Sequence, residues 1–415
     1  MVVLNSKAQR LYVIQAAVEY LVALLVSGAF LATLTKELGF SDSLTGIISA
    51  IISLGCLFQL LAVFVRRRIK SNVILLSFVS QILFLLLYVI PLTGAAKAVK
   101  TVAFVIAIVL AYLIYNMIHP QKTNWLMGSV KDGERGSFTA IKEMVSLASG
   151  MLFSFGMGKW VDHLADKGKT REAFVVCAIV MFVLMVAHAA SLLFIPDGGG
   201  QGRKYSVKAG FAMLLGNKKL RAAVVVSILY NVAAFTIRPF LGTYEIHELG
   251  FSLAFVSVLS AVSSVSRILI SRRWGRYADR CGFAVMVEKC FLLLGGAWLC
   301  VAFASPSVGV VAMIGYGILN GVAMGGINSA MTNLIYDYVP REHCADAIAV
   351  TQAVAGVAGF LTTLLASPIV SHIQANGNRL WGVPVYAQQC LAIIALAITL
   401  IAVIFTRVAL IKKRG

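Results

Sequence analysis

The stretch Glu248-Leu249-Gly250-Phe251-Ser252 repeats, letter for letter, the stretch Glu37-Leu38-Gly39-Phe40-Ser41, at an offset of 211 residues (248 minus 37) in a chain of 415. Each copy follows a long apolar segment and precedes another one. The pair Ser49-Ala50 recurs as Ser260-Ala261 at the same offset. Similarity at a fixed offset indicates an internal repeat, so we interpret the chain as two halves of related architecture.

Each copy of the repeat also predicts a local structure. A glycine after an apolar helix is a common helix stop, since it accepts the left-handed backbone conformation. A serine two residues later can accept a hydrogen bond from the first turn of the next helix. We therefore expect a tight connection between two helices at both copies.

The composition indicates an integral membrane protein, because 60% of the residues are hydrophobic and 13% are charged. An apolar helix of about 20 residues crosses the hydrocarbon layer of a bilayer. The apolar runs are too long for barrel strands and so predict helices. Twelve runs of this length are predicted as transmembrane helices, over residues 11–35, 43–65, 72–91, 99–119, 138–160, 173–195, 219–244, 252–271, 283–304, 307–336, 346–373 and 384–408.

Lys and Arg are concentrated in alternate connections of this scheme, and positively charged loops stay in the cytoplasm. We therefore expect a multi-pass protein of the cytoplasmic membrane with both termini inside. The formal net charge of +19 follows from this topology, and no basic soluble module predicts nucleic-acid binding. The N-terminal residues lack a signal-peptide cleavage pattern, so the first apolar run is expected to be a mature span.

The predicted domain organisation is a six-helix bundle over residues 1–195, a second one over 219–415 and a cytoplasmic linker with a short amphipathic helix at 196–218. The fold class is thus all-α, with twelve transmembrane helices in two pseudo-symmetric halves. The seven cysteines are not at metal-binding or disulfide-framework spacings. We expect no metal, no cofactor and no enzymatic activity, with the bilayer as partner and a monomeric state.

Two ionisable residues lie within predicted spans, where charge is costly and commonly functional. Glu19 lies in the first span and shares a helix face with Tyr12 and Gln15. Arg238 lies in the seventh span beside Pro239, which interrupts the backbone hydrogen-bond ladder. The sequence leaves two alternatives open: Glu19 as a structural acid satisfied by another helix, and Arg238 as a residue reaching out to the headgroups.

Between the eighth and ninth predicted spans stands Trp274-Gly275-Arg276-Tyr277-Ala278-Asp279-Arg280-Cys281-Gly282. It resembles the G-x-x-x-D-R-x-G signature of the major facilitator superfamily, which lies on a cytoplasmic loop at this place in a half. The resemblance implies that this loop is a conformational latch, in which Asp279 pairs with a nearby arginine. The predicted latch residues are Gly275, Arg276, Asp279, Arg280 and Gly282.

The resemblance also implies that the first, fourth, seventh and tenth spans line a central cavity. Each of these spans carries polar residues in its apolar run. The glycine ladder Gly317, Gly321 and Gly325 in the tenth span predicts close helix packing instead. The predicted substrate-binding and coupling residues are Gln15, Glu19, Tyr115, Asn116, Tyr230, Asn231, Arg238, Asn320 and Asn328.

Together these features predict a secondary active transporter that moves a small polar organic solute by alternating access, with anionic solutes among the candidates. In this hypothesis Glu19 is the proton-coupling or cation-facing carboxylate, and Arg238 holds an anionic group of the substrate. The partners are the small-molecule substrate and protons or another coupling ion. The alternative is a proton antiporter that exports hydrophobic cations, in which Glu19 recognises the cation.

Overall fold

Helices make up almost all of the chain in the computed structural model, which describes residues 6–59, 69–130, 135–195, 207–339 and 344–411. A hairpin of two short antiparallel strands, β1 (Arg379–Leu380) and β2 (Val383–Pro384), precedes the last helix. The helices are α1 Lys7–Leu25, α2 Gly28–Glu37, α3 Asp42–Phe58, α4 Ile69–Val89, α5 Lys97–Met127, α6 Arg135–Asp166, α7 Thr170–Phe194, α8 Val207–Gly216, α9 Lys218–Thr243, α10 Leu253–Cys281, α11 Phe283–Ala302, α12 Gly309–Tyr336, α13 Cys344–Ala375 and α14 Ala387–Thr406.

Ten of the described helices are long and apolar enough to cross a membrane, and α3 is a shorter apolar helix. Large apolar side chains point outward from them, as Leu152, Val311 and Leu365 do with 76 to 78% of their surface exposed. Such outward apolar surface suits contact with lipid rather than water. The predicted all-helical class with multiple apolar spans is confirmed, while the count of twelve and the side of the termini stay predictions.

The first predicted span, 11–35, is not one continuous helix. The chain breaks between α1 and α2, where Gly28 takes a positive φ of 54° and the Ser27 hydroxyl donates back to the Ala23 carbonyl oxygen at 2.6 Å. A glycine accepts this left-handed conformation at little cost, and the serine supplies the preceding turn with a side-chain partner. The prediction of spans from the length of an apolar run does not detect such a break within the run.

The fourth predicted span ends at residue 119, but α5 continues through Pro120 to Met127. Pro120 removes one backbone donor, which normally favours a helix end or kink. The extra turns are held by packing, since Trp125 and Leu126 are buried in a core cluster with Tyr12. This extension brings Lys122, which the sequence pattern assigns to a cytoplasmic connection, into the helical bundle.

Both copies of the five-residue repeat form the predicted helix connection. Gly39 and Gly250 have φ values of 66° and 68°. The Ser41 hydroxyl oxygen accepts from the Leu44 amide, and that of Ser252 from the Phe255 amide, each at 3.2 Å. A short π-helix, Tyr244–Glu248, leads into the second copy and includes its first residue. The prediction of a glycine stop followed by a serine cap is confirmed at both places.

The glycine ladder of α12 packs against α10, as predicted. A side-chain carbon added at Gly321 would collide with the Ser263 carbonyl oxygen of α10. One added at Gly325 or Gly317 would press on the backbone of α10 as well. Trp274 strengthens this contact by donating from its indole nitrogen to the Val322 carbonyl oxygen at 2.8 Å. Small residues let the two helix backbones approach closely.

The chain forms two compact units, each of which takes in one segment from the other half of the sequence. The first unit comprises residues 1–40, 61–204 and 252–258, so the start of α10 belongs to it. The second unit comprises residues 41–60, 205–251 and 259–415, so α3 belongs to it. The division of the chain at residues 195 and 219 stays a prediction.

In the first unit, the start of α10 is attached to α6 by a carboxylate. Asp162 accepts hydrogen bonds from the amides of Leu253 and Ala254 at 3.0 and 2.8 Å. These amides open a helix and have no partner within it. In the second unit, the Ser53 hydroxyl of α3 donates to the Gly356 carbonyl oxygen of α13 at 2.9 Å.

Several sequence-based expectations lie outside the described residues. They concern the basic run at 66–68, the linker residues 196–206 and the basic tail at 412–414. The charged residues 131–134 and 340–343 also fall there. Within the linker region the structure describes α8.

Candidate functional site

Arg238 of α9 is the centre of a polar site in the second unit. Its Nη1 donates to the Tyr230 hydroxyl at 3.1 Å, two turns earlier on the same helix. Its Nη2 donates to Asn320 Oδ1 of α12 at 3.2 Å and contacts the sulfur of Met324 at 3.1 Å. Asn320 in turn donates weakly to Ser263 of α10 at 3.4 Å. The structure thus brings together three of the predicted residues.

Aromatic rings surround the guanidinium group. Its central carbon lies 5.7 Å from the ring centres of both Tyr230 and Trp298, close enough for cation–π attraction. Trp298 is fully buried and stacks on Tyr316 with ring centres 6.0 Å apart. Tyr230 stacks on Phe291 at the same separation, with the ring planes 6° apart. These contacts hold the guanidinium group against aromatic rings of the same unit, while its depth in the bilayer stays a prediction.

No carboxylate of the described residues lies within ion-pair distance of Arg238. Its neighbours Tyr230, Asn320 and Met324 are all uncharged. A half-buried arginine in an apolar helix normally pairs with an acid, because an unmatched charge is costly. The site therefore holds a positive charge that a bound anionic group can neutralise.

A cavity of about 200 Å³ lies in the same unit beside Tyr230, between α9, α12 and α13. Its lining combines hydroxyl and amide groups with apolar side chains, and it includes no charged residue. The predicted residues Asn231 and Asn328 both line it, although the Asn231 amide also donates to the Ser227 carbonyl oxygen at 3.0 Å. The lining residues are Ser227, Tyr230, Asn231, Ile327, Asn328, Met331, Thr332, Ile335, Ile348, Thr351, Gln352 and Ala355.

Glu19 lies in the first unit at the centre of a buried charged cluster. Its carboxylate forms an ion pair with Lys122 of α5 at 2.5 Å and accepts from the Gln15 amide at 2.5 Å. His188 of α7 lies 3.7 Å from the carboxylate and 2.9 Å from the Gln15 nitrogen. The side chains of Lys122 and His188 are 4% and 1% exposed. The charge of Glu19 is therefore matched by a lysine that the sequence pattern assigns to a loop.

The remaining two predicted residues of this unit differ in their surroundings. The Tyr115 ring lies 5.1 Å from the Lys122 ammonium nitrogen and so belongs to the charged cluster. Asn116 is buried, and its amide donates to the Tyr112 carbonyl oxygen of its own helix at 2.9 Å. A hydrogen bond to the carbonyl oxygen one turn earlier is a common way for a polar side chain within a helix to find a partner.

Two ionisable residues that the sequence pattern does not single out, His188 and Lys122, belong to the Glu19 site, and a third, Glu245, lies at the end of α9. His188 lies within the apolar run of α7, so the rule that selects Glu19 also applies to it. Lys122 escapes that rule because Pro120 marks the expected end of the span. Glu245, seven residues after Arg238, lies in the π-helix at the end of α9, and its carboxylate has no hydrogen-bond or ion-pair partner among the residues described.

The predicted latch residues lie at the junction of α10 and α11. Gly275, Arg276, Asp279 and Arg280 are in the last turns of α10 rather than in a loop, and Gly282 forms the turn with a φ of 86°. The helix continues because nothing in this segment breaks it before Gly282. Asp279 is exposed, and no basic side chain within the described part of the chain pairs with it. The expected pairing with an arginine is therefore not present in this structure, and the latch role stays a prediction.

Comparison with known proteins gives one family and a set of similar folds. The model of the Major Facilitator Superfamily matches residues 12–282 and 224–414. No curated protein gives a significant match.

Among solved structures, the nucleoside transporter NupG is similar with a TM-score of 0.73 and 12% identity, covering 97% of this chain and 99% of that one. An auto-inhibited peptide transporter of the POT family has a TM-score of 0.70 at 12% identity, covering 97% of each chain. A D-xylose-proton symporter has a TM-score of 0.62 at 12% identity, covering 94% of this chain and 96% of the other. At these identities the likeness concerns the fold alone.

Proposed function

Because the chain belongs to the major facilitator superfamily, we propose that it is a secondary active transporter that moves a small polar organic solute with an anionic group by alternating access. The observation that carries the anionic preference is the position of Arg238, which is held by aromatic and amide groups without an acidic partner in the described chain. It is a multi-pass protein of the cytoplasmic membrane with both termini inside, and it works as a monomer.

The geometry of Arg238 supports recognition of a carboxylate or phosphate. A guanidinium group presents five donors in a plane, which suits two parallel hydrogen bonds to such a group. Among the described residues, Nη1 and Nη2 donate to the neutral side chains of Tyr230 and Asn320. An incoming anion can therefore bind the guanidinium group without displacing another negative charge.

The volume and lining of the adjacent cavity support a solute whose part outside the anionic group is small and uncharged. Its volume of about 200 Å³ is below the roughly 300–1,000 Å³ that is usual for drug-sized ligands. Hydroxyl and amide groups on three helices offer both donors and acceptors, while no charge in the lining selects for a second ionic group. Tyr230 lies between the two features, since it lines the cavity and bonds to Arg238.

The ion pair between Glu19 and Lys122 supports coupling of transport to protons. The carboxylate is held by Lys122, and His188 and Gln15 lie beside it. A proton taken up by Glu19 removes the charge that Lys122 needs, so the ion pair and the attachment of α1 to α5 change together. We propose this pair as the coupling element, with the proton as coupling ion.

The export of hydrophobic cations is a second candidate that the structure supports less well. In that hypothesis Glu19 recognises the cation, but Lys122 already neutralises its carboxylate. One observation still favours a cation site: the carboxylate of Glu245 has no partner among the described residues. A cation-specific transporter would depend on Glu245 and not on Arg238.

Uptake into proteoliposomes tests the proposal with a panel of solutes that differ in charge. The probes are a radiolabelled nucleoside monophosphate and its nucleoside, an aldonic acid and its sugar, a dipeptide, and a hydrophobic cation, each with and without a pH gradient. The proposal expects accumulation of an anionic member of a pair above its neutral counterpart and above protein-free vesicles. Accumulation of the neutral members or the cation alone would contradict it.

A further inference from the structure

A network of polar side chains connects three helical segments of the second unit at a place that the proposed transport site does not use. His247 Nδ1 lies 2.6 Å from Asp42 Oδ1. The Gln374 amide donates to both Asp42 Oδ2 and Glu248 Oε1 at 2.8 Å, and the Asn378 amide donates to Glu248 Oε2 at 2.8 Å. We call these five residues the Asp42 cluster.

The cluster connects the two copies of the sequence repeat. Asp42 directly follows the first copy and is the first residue of α3, while Glu248 opens the second copy. Gln374 belongs to the last turn of α13. The network therefore holds the start of α3, the end of the π-helix after α9 and the end of α13 together. Close by, the hydroxyls of Ser43 and Ser367 are also in contact between α3 and α13.

The geometry of His247 specifies where a proton can be added. A separation of 2.6 Å between Nδ1 and a carboxylate oxygen requires a proton between the two atoms, because both would otherwise present lone pairs. The opposite ring nitrogen, Nε2, is buried and has no hydrogen-bond partner among the described residues. Nε2 is therefore without a hydrogen-bond partner among the described residues both as an acceptor and, once protonated, as a donor. It is the one position of the ring that can accept a second proton.

The cluster carries net negative charge when His247 is neutral. With His247 neutral, it contains two carboxylates 2.8 Å from the same amide nitrogen and no cation. Among the described residues, no lysine or arginine pairs with either acid. The titratable groups on the segments that meet here are Asp42 from α3, Glu245, His247 and Glu248 from the π-helix, and the exposed His372 and Arg379 at the end of α13 and in β1.

We propose that the Asp42 cluster is a proton-binding site that controls the attachment of α3 to α13 and to the end of α9. Protonation at Nε2 turns the hydrogen bond between a neutral His247 and the Asp42 carboxylate into an ion pair and reduces the repulsion between Asp42 and Glu248. The attached arrangement binds the proton more tightly than a separated one. By linkage, acid pH stabilises the attachment and alkaline pH weakens it.

Hydrogen exchange of the substrate-free protein in lipid nanodiscs tests this directly, and its outcome is independent of the proposed transport function. Exchange is followed by mass spectrometry in peptides from the first turns of α3, at mildly acidic and mildly alkaline pH on either side of the range in which imidazoles titrate. After correction for the intrinsic pH dependence of exchange, we expect roughly tenfold slower exchange at acid pH, as for one charge-assisted hydrogen bond.

Three variants make the test specific. His247→Gln should exchange at the fast rate at both pH values, and His247→Lys, which keeps a positive charge, at the slow rate at both. His372→Gln is the matched control, because His372 is an exposed histidine at the same end of α13 whose ring contacts Asn376; it should behave like the wild type. Equal wild-type exchange at the two pH values, or a pH effect that persists in His247→Gln, would overturn the proposal. Should His247→Gln not fold, Asp42→Asn must show the same loss of pH dependence.

Discussion

The hydroxyl of Tyr230 accepts a hydrogen bond of 3.1 Å from Nη1 of Arg238, eight residues later on the same helix. The repeat offset of 211 residues places Tyr230 opposite Glu19 (230 minus 211), so equivalent positions of the two sequence halves carry different polar groups. Glu19 pairs with a lysine in one unit, and Tyr230 orients an arginine in the other. The repeated scaffold therefore carries two chemically different sites.

This contact predicts the effect of removing one oxygen atom. Tyr230→Phe keeps the ring that stacks on Phe291 and faces the guanidinium but removes the acceptor for Nη1. We expect the apparent affinity for the transported anion to fall about tenfold, since a hydrogen bond to a charged group contributes ~1.5–3 kcal/mol, with the maximal rate little changed. The KM for uptake measures this. Tyr386→Phe, at the start of α14, is the control, and a KM shift of equal size there would contradict the assignment.

The ion pair of Glu19 predicts a stability effect. Lys122→Met leaves a buried carboxylate without its cation, which we expect to cost ~3–5 kcal/mol. The double variant Lys122→Met with Glu19→Gln removes both charges and should recover most of that loss. Thermal unfolding of the purified protein in detergent measures both. A double variant as unstable as the single one would show that the two charges are not energetically paired.

Glu19 also predicts a transport phenotype. Glu19→Gln cannot gain or lose a proton, so the response of solute uptake to an imposed pH gradient should disappear, while exchange of solute across vesicles without a gradient continues. Both are measured in the same proteoliposome preparation. Full retention of the pH response in Glu19→Gln would assign proton coupling to another group.

The helix connection at the second copy of the repeat predicts an effect of the backbone conformation of Gly250 on stability. Its φ of 68° is unfavourable for a residue with a side chain, although no atom lies within 4 Å of the added carbon. Gly250→Ala should therefore lower the unfolding free energy by ~1–2 kcal/mol through backbone strain alone. Gly275→Ala is the matched control, since that position is equally open but helical, where alanine is favoured by ~1 kcal/mol. Equal effects at the two positions would contradict this explanation.

The sequence predicted the features that depend on local rules. Gly39 and Gly250 stop their helices and Ser41 and Ser252 cap the next ones, because these effects need only a few neighbouring residues. Arg238 and Glu19 could be selected because ionisable residues in apolar runs are rare. Their partners could not be predicted, since Lys122 joins Glu19 only through packing that continues α5 past Pro120.

The Asp42 cluster shows the same limit on a larger scale. Asp42, His247 and Gln374 are 205 and 127 residues apart along the chain, and each alone is an ordinary polar residue at a helix end. Only the folded arrangement shows that they share hydrogen bonds. The repeat predicted two helix connections but contained no information about which side chains meet there.

The central claim is that Arg238 binds an anionic group of the transported solute. The direct measurement is uptake of the anionic probe that wild-type proteoliposomes accumulate best, compared between wild type, Arg238→Lys and Arg238→Ala. We predict at least a hundredfold loss of uptake efficiency for Arg238→Ala, since the truncation removes ~3 kcal/mol of charge-assisted hydrogen bonding, and an intermediate loss for Arg238→Lys, which keeps the charge but not the planar donors. Uptake of the same anion by Arg238→Ala at the wild-type rate and affinity would contradict the claim.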